Sequence, residues 1–351
     1  MLELSSAGGA FEHLESYLDQ QLGTGQVADV YLGYGLSEAV RRGASAPPPE
    51  PCALPLLACV VRDDRPPDDD LVDPFRVGDW EATWDTEHYA AAVDAVRAAI
   101  RLGDVYQVNL VQHLSAPFAG DPRALAAALA PLRPLQPRVL IGEDWSIVSA
   151  SPELFLARRG DRLWTKPIKG TRPLGEDIDD LKDAAEHVMI VDLERNDLSR
   201  VCEPGSIRWP ELMVQHELAG VTHLVSTVEG TLRPGVGLAE ILHATFPGGS
   251  ITGAPKIAAI DEIARLEPVG RGASMGALGT IWPNGDFDLA LTIRTFAVAD
   301  DRVHLWAGGG IVWDSDPEQE VEESWVKVRP LLAAIAHAGA GRGGSARFAR
   351  A

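Results

Sequence analysis

Apolar positions recur along this chain with two different periods. Between Trp84 and Gly103, Tyr89, Val93, Val96 and Ile100 fall on one face of a 3.6-residue repeat. A helix is therefore expected there, capped at Thr86 and stopped at Gly103. From Val105 to Leu114 the period becomes two: Tyr106, Val108 and Leu110 alternate with Gln107 and Asn109, the mark of a strand. Strand-like segments then dominate, with hairpin turns at Gly160–Asp161 and Asn284–Gly285. Residues 287–298 and 303–313 read as another hairpin, turned at Asp300–Asp301. Helical patterns return at 177–199, 254–266 and 317–337; in the last, Asp316 can cap and Pro317 takes the first helical position. Residues 40–80 interrupt the pattern with RRGASAPPPEP and RDDRPPDDD, loops around one buried strand, Leu54 to Val61. Strands in hairpin order with interspersed helices predict an α+β fold and not a doubly wound α/β sheet. There is no internal repeat, and the tail at 338–351 reads as disordered.

Composition narrows the function classes. The 351 residues are 46% hydrophobic, ample for a sizeable core, and carry a formal charge of -20. Such a surface repels nucleic acid and anionic membrane, so neither is an expected partner. An anionic substrate would need a local basic or metal-lined pocket. Cys52, Cys59 and Cys202 are odd in number and lack metal-ligand spacing, which suits the reducing cytoplasm. The opening MLELSSAGGAFEHLE is acidic where a signal peptide would be basic, and the longest apolar run, Ala53 to Val61, is too short to span a bilayer.

Five constellations carry possible chemistry. In SASPELFLARRGDRLWTKPIKGTRPLG, a turn at Gly160-Asp161-Arg162 makes Glu153 and Lys169 cross-strand neighbours. A carboxyl can then exchange a proton with a lysine, and a partly neutral lysine is a nucleophile; spacing alone favours an ordinary salt bridge. In DAAEHVMIVDLERNDLSRV, Val188, Met189, Val191 and Leu193 form the apolar face and Glu186 lies a turn ahead of it, which by composition is surface charge. In the last helix Glu320, Glu323 and Lys327 share a face while Val321, Trp325 and Val328 turn toward a core. Carboxylates in a row can hold Mg²⁺ with water, against the simpler reading of a Glu323–Lys327 helix pair. FPGGSITGAPK runs a glycine-rich loop into a helix and can seat an anion, yet it lacks the Gly-Lys-Ser/Thr of a nucleotide loop; a plain turn fits equally. Last, Arg294 would lie opposite Ala307, beside Gly308, Gly309 and Gly310, as a carboxylate clamp or as a close backbone approach in a sheet.

Taken together and in this order, PIKGTRP, IVDLERNDLSRV, HLVSTVEG, FPGGSITGAPK, the IRT of residues 293–295 and AGGGIV closely resemble the chorismate-utilising enzyme family, over residues 84–333. The resemblance implies two packed antiparallel β-sheets flanked by helices, with the active site in the cleft between them. The catalytic region would be 84–333, and 1–83 would be a shortened N-terminal region adding to the outer sheet. It implies a Mg²⁺ held by Glu186 and Glu323 with Glu320 and Lys327 beside it, and an enolpyruvyl carboxylate on Arg294, Gly309 and Gly310. Ser250, Gly170 and Thr171 would line the ring site, and His223 would contact the departing C4 hydroxyl. The PIKGT form resembles the aminodeoxychorismate synthases of the p-aminobenzoate and folate route, in which the lysine matching Lys169 attacks chorismate C2 and the glutamate matching Glu153 is the acid/base. Anthranilate synthases, the alternative, carry alanine there. The isochorismate and salicylate synthases use a lysine near the position of Gln107, which cannot act as a base. Ser274 replaces a family tyrosine that helps bind the substrate carboxylate, so a catalytically impaired partner-binding protein is a further reading. No glutaminase nucleophile is recognisable, so ammonia is expected from a separate glutamine amidotransferase subunit.

Overall fold

A computed structural model describes residues 1–65, 72–173, 181–218 and 221–339. Among these residues the chain forms two antiparallel sheets with helices against them, an α+β fold. The larger, ten-stranded sheet begins with Leu2–Leu4, Leu57–Asp63 and Gln26–Leu32, then Ala277–Ile281, Phe287–Leu291 and Leu154–Arg159. Arg162–Lys166 and Ile168–Pro173 follow each other along Val221–Thr231, whose other edge pairs with Arg208–Leu218. The eight-stranded sheet centres on Gln107–Ala119 and Arg302–Ile311, continued by Thr295–Ala299, Trp145–Ser149 and Leu140–Ile141. No described helix is long and apolar enough to cross a membrane.

The periodic segments form because their apolar stripes find this core. In the helix Thr86–Leu102, Tyr89, Val93 and Val96 are buried, each contributing about 2 kcal/mol by removal from water. Its cap is Asp85 and not Thr86: the Asp85 carboxylate accepts the His88 N–H at 2.8 Å, because a cap must lie outside the first helical turn. Gly103 ends the helix in the left-handed region. The next strand starts at Gln107, leaving Tyr106 exposed, and runs to Ala119 because its partner Arg302–Ile311 continues alongside to Pro117. Gln107 and Asn109 are as buried as Val108 and Leu110, since this central strand is covered on both faces.

The turns fall where expected, with one change of register. Asp300 and Asp301 both take positive φ, the backbone twist a two-residue hairpin needs. At Gly160–Asp161 the turn also has two residues, not three: Arg162 stands opposite Arg159, and a bulge then brings Lys166 opposite Leu154. The expected strand at 287–298 is broken. Phe287–Leu291 belongs to the larger sheet, Thr295–Ala299 to the smaller, and Arg294 between them has φ 50°. The same crossing occurs between Trp145–Ser149 and Leu154–Arg159. The two crossings pair with each other: the Ala150 N–H bonds Arg294 O at 2.9 Å, and the Leu291 N–H bonds Glu153 O at 3.0 Å.

The helices expected at 254–266 and 317–337 are Lys256–Leu266 and Pro317–Gly339, so residues 338–339 of the expected tail are helical and 340–351 lie outside the described residues. The first starts two residues late because Ala254 is still paired with Gln107. The third is Leu181–Ser199, and its expected start at 177–180 lies outside the described residues. One ion pair is fully enclosed in the core. Arg271 and Glu267 meet at 2.7 Å with 1% of either side chain exposed; Arg271 also bonds the carbonyls of Ile251 and Asn109, and Glu267 the Val111 N–H.

Candidate active site

The two sheet crossings set Glu153 and Arg294 side by side at the seam between the sheets. Glu153 is buried, and its Oε1 accepts the Ser250 hydroxyl at 2.8 Å and the Ile168 N–H at 3.4 Å. Burial raises its pKa above the ordinary carboxylate value; Lys169, the two hydrogen bonds and Arg294 oppose that rise. Lys169 is not the residue directly opposite Glu153, as the expected register had it: the two-residue turn and the bulge past Trp164 both move the register away from that pairing, and the two groups still interact electrostatically across the hairpin. On its other side Lys169 stands opposite Leu224, and Gly170 follows in a second bulge with positive φ.

Lys169 is where the separate constellations converge. Burial lowers its pKa; Glu153, Glu186 and Glu323 oppose the shift, and the Lys327 charge adds to it. Four side chains from three parts of the sequence thus act on one ammonium. Glu186 comes from the helix Leu181–Ser199, and Glu323 and Lys327 from Pro317–Gly339, whose Asp316 cap accepts the N–H groups of Glu318 and Gln319 as expected. Lys327 Nζ lies 2.8 Å from Glu323 Oε1 and donates to Gly308 O at 2.8 Å. A Cβ on Gly309 would meet Glu320 Oε2 at 3.2 Å and Glu323 Oε1 at 3.4 Å, so both carboxylates converge over this glycine. Among the described residues no three carboxylate, histidine or cysteine side chains already stand as a closed metal cluster.

His223 is buried opposite the Thr171 backbone; the Thr171 side chain lies outside the described ones. Burial and the Arg294 charge lower the His223 pKa, against a hydrogen bond with the Gly170 backbone, so the ring is neutral near pH 7. Arg294 is partly buried. It is not a strand residue opposite Ala307, because the pairing with Arg302–Ile311 ends at Phe296–Leu305. The neighbouring glycines serve a close approach: a Cβ on Gly308 would lie 1.7 Å from Leu110 O, and one on Gly310 would lie 2.2 Å from Gln107 Nε2. Ser274 is fully enclosed, with its hydroxyl unpartnered and its N–H on Arg271 O.

Two features were not legible in the sequence. The Gln107 amide is buried with neither polar atom partnered, beside Gly310. On the helix Leu181–Ser199 the buried described residues are His187, Ile190, Val191, Glu194, Asp197 and Leu198, while Val188, expected inside, is 49% exposed. An apolar stripe misses this face because three of these six residues are polar. The only available signal was the i, i+3 spacing of Glu194 and Asp197, one helical turn apart.

Residues 47–333 match the family described as chorismate binding enzyme. The chain is 43% identical over 277 residues to anthranilate synthase component 1 of Thermus thermophilus, covering 75% of this chain and 59% of that protein. It is 41% identical over 266 residues to aminodeoxychorismate synthase component 1 of Klebsiella aerogenes, covering 72% of this chain and 59% of that one. The chain therefore spans little more than half the length of these curated relatives. The crystal structure of anthranilate synthase component I from Streptococcus pneumoniae superposes with a TM-score of 0.76 at 28% identity, over 89% of this chain and 81% of that one.

Proposed function

The chain belongs to the chorismate-binding enzyme family, and from that premise we propose that it is the synthase component that converts chorismate and ammonia to 4-amino-4-deoxychorismate. Overall similarity does not choose between the two named activities, since 43% and 41% identity differ too little. The observation that carries the reading is Lys169, a lysine with a lowered pKa beside the buried carboxyl Glu153. The anthranilate synthase pattern has alanine at that position.

Glu153 takes a proton from the Lys169 ammonium. The free amine forms a bond to C2 of chorismate as both double bonds of the conjugated ring diene shift and the C4–O bond breaks. Glu153 gives its proton to the departing hydroxyl, which leaves as water beside the neutral His223 ring. Ammonia then forms the C4–N bond, both double bonds shift back, and the C2–N bond breaks to free the Lys169 amine, the added nitrogen keeping the positive charge. Arg294 and the backbone at Gly309 and Gly310 hold the enolpyruvyl carboxylate; Ser250, Gly170 and Thr171 line the ring site. A protein of charge -20 needs local positive charge for a dianionic substrate. Glu186, Glu320 and Glu323 offer only carboxylate oxygens, which suit Mg²⁺ completed by water, and a bound Mg²⁺ would neutralise the ring carboxylate. Lys327 would then add a second positive charge beside the ion.

Product identification tests the reading. The purified chain with chorismate, Mg²⁺ and ammonium should form 4-amino-4-deoxychorismate, whereas anthranilate and pyruvate would select the alternative. Glutamine in place of ammonium should give no product, because ammonia is to come from a separate amidotransferase subunit in the cytoplasm; turnover with glutamine would refute that partner.

A further inference from the structure

The helix Leu181–Ser199 buries more acid than the proposed reaction uses. Glu194 and Asp197 are 4% and 3% exposed, one turn apart on its inner face. Lys256 faces Asp197, with Nζ 2.5 Å from Oδ2, and also donates to Thr245 O at 2.9 Å. Glu194 makes a different contact: its Oε1 accepts the backbone N–H of Gly249 at 3.0 Å. The next residue is Ser250, whose hydroxyl donates to Glu153. The loop rests directly on the helix, since a Cβ on Gly249 would meet Leu193 Cδ2 at 2.6 Å and Glu194 Oε1 at 3.1 Å. Helix, loop and Glu153 are therefore linked in series; the Lys256 contact to Thr245 ties the two ends of the same loop together, and its contact to Asp197 ties them to the helix.

We propose that Glu194 is a positioning residue for this active site: it anchors the Gly249–Ser250 turn from behind and so holds the Ser250 hydroxyl on Glu153. The inference rests on reading Glu153 as the acid/base. The groups that face Glu194 are Asp197 on its own helix, Lys256 at the start of the helix Lys256–Leu266, the Gly249 N–H in the loop, and Glu153 at the sheet crossing. Burial, then Asp197, push the Glu194 carboxyl up to about 7, and Glu153 adds to the rise while Lys256 and the Gly249 N–H oppose it. Repulsion between two carboxylates is mutual, so an ionised Glu194 makes Glu153 hold its proton more tightly. Glu194 thus tunes the base it positions.

Two variants of the full chain separate anchor from charge. Glu194→Gln keeps an oxygen for the Gly249 N–H and cannot ionise; Glu194→Leu keeps the bulk and loses the acceptor. Hydrogen exchange at Gly249 should speed up about tenfold or more in Glu194→Leu and stay protected in Glu194→Gln. With chorismate, ammonium and Mg²⁺, Glu194→Leu should lose about tenfold in kcat with a much smaller change in KM. Glu194→Gln should lose the inflection near neutral pH that the wild type shows. Unchanged exchange in Glu194→Leu, or superimposable pH profiles for wild type and Glu194→Gln, overturns the inference. If Glu194→Leu does not fold, the Glu194→Gln profile decides. Absence of chorismate turnover by the wild type overturns the functional reading instead, while the exchange comparison still decides the anchor.

Discussion

The Leu291 N–H bonds the Glu153 carbonyl at 3.0 Å at the point where both segments leave one sheet for the other. That bond fixes the backbone of Glu153 against the crossing that carries Arg294, three residues further on. A buried carboxyl and a guanidinium, the acid/base and carboxylate clamp of the proposed reaction, are thereby held on the seam of two sheets, not on independent loops.

Lys169 is the group the reaction cannot lose. Lys169→Ala should lower 4-amination about 100-fold or more while chorismate binding largely survives, because in the proposed site Arg294 would hold the enolpyruvyl carboxylate. Lys169→Arg should be equally poor, since a guanidinium stays protonated. Product analysis and calorimetric binding measure the two effects, and mass spectrometry of the wild type during turnover should detect a transient adduct on Lys169. Near-normal amination by Lys169→Ala would exclude this nucleophile.

The pH profile follows from the directions of two shifts. Burial raises the Glu153 pKa and lowers that of Lys169, so the proton passes between more closely matched groups than in water. Glu153 must be ionised to accept it. kcat/KM should therefore fall as pH drops through the raised Glu153 pKa, placing the acid limb above the ordinary carboxylate range. Glu153→Gln should cost about 100-fold or more and remove that limb. A limb that persists unchanged in this variant belongs to another group.

Chelation should abolish turnover without unfolding the chain. Glu186→Gln and Glu323→Gln should each raise the Mg²⁺ concentration needed for half-maximal rate, by about tenfold or more. Circular dichroism in EDTA separates loss of metal from loss of fold. Full activity after exhaustive EDTA treatment would remove Mg²⁺ from the mechanism.

The enclosed Arg271–Glu267 pair gives a stability test independent of catalysis. Arg271→Met strands the Glu267 carboxylate in the core and should cost about 3–5 kcal/mol. The double variant Arg271→Met/Glu267→Met should recover part of that loss. Thermal melts report both, and a single variant with the wild-type Tm would show that Glu267 is already neutral inside the protein.

Residues close together in the chain settled much of the local structure. The stripe Tyr89, Val93 and Val96 specified a helix, Asp316-Pro317 specified where the last helix begins, and Asp300–Asp301 specified a two-residue turn. Each rests on interactions spanning a few residues, which a single sequence carries in full. The motif wording likewise identified the family, and residues 47–333 match its description.

Other features needed partners distant in sequence. Residues 287–298 alternate like one strand, yet the chain changes sheets at Arg294, because Ser149 and Leu154 offer pairing partners in different sheets on either side of it. By composition this helix carries surface charge, yet its Glu194 and Asp197 face inward, where they meet the Gly249 N–H and Lys256. Glu186, Glu323 and Lys327 read as ordinary helix charges, and only the packing of two helices against the seam turns them toward Lys169. The physical division is one of range. Backbone preference and side-chain period act within a turn or two of chain, whereas the sheet a strand joins and the partner a buried charge meets are fixed by long-range pairing that no local pattern encodes.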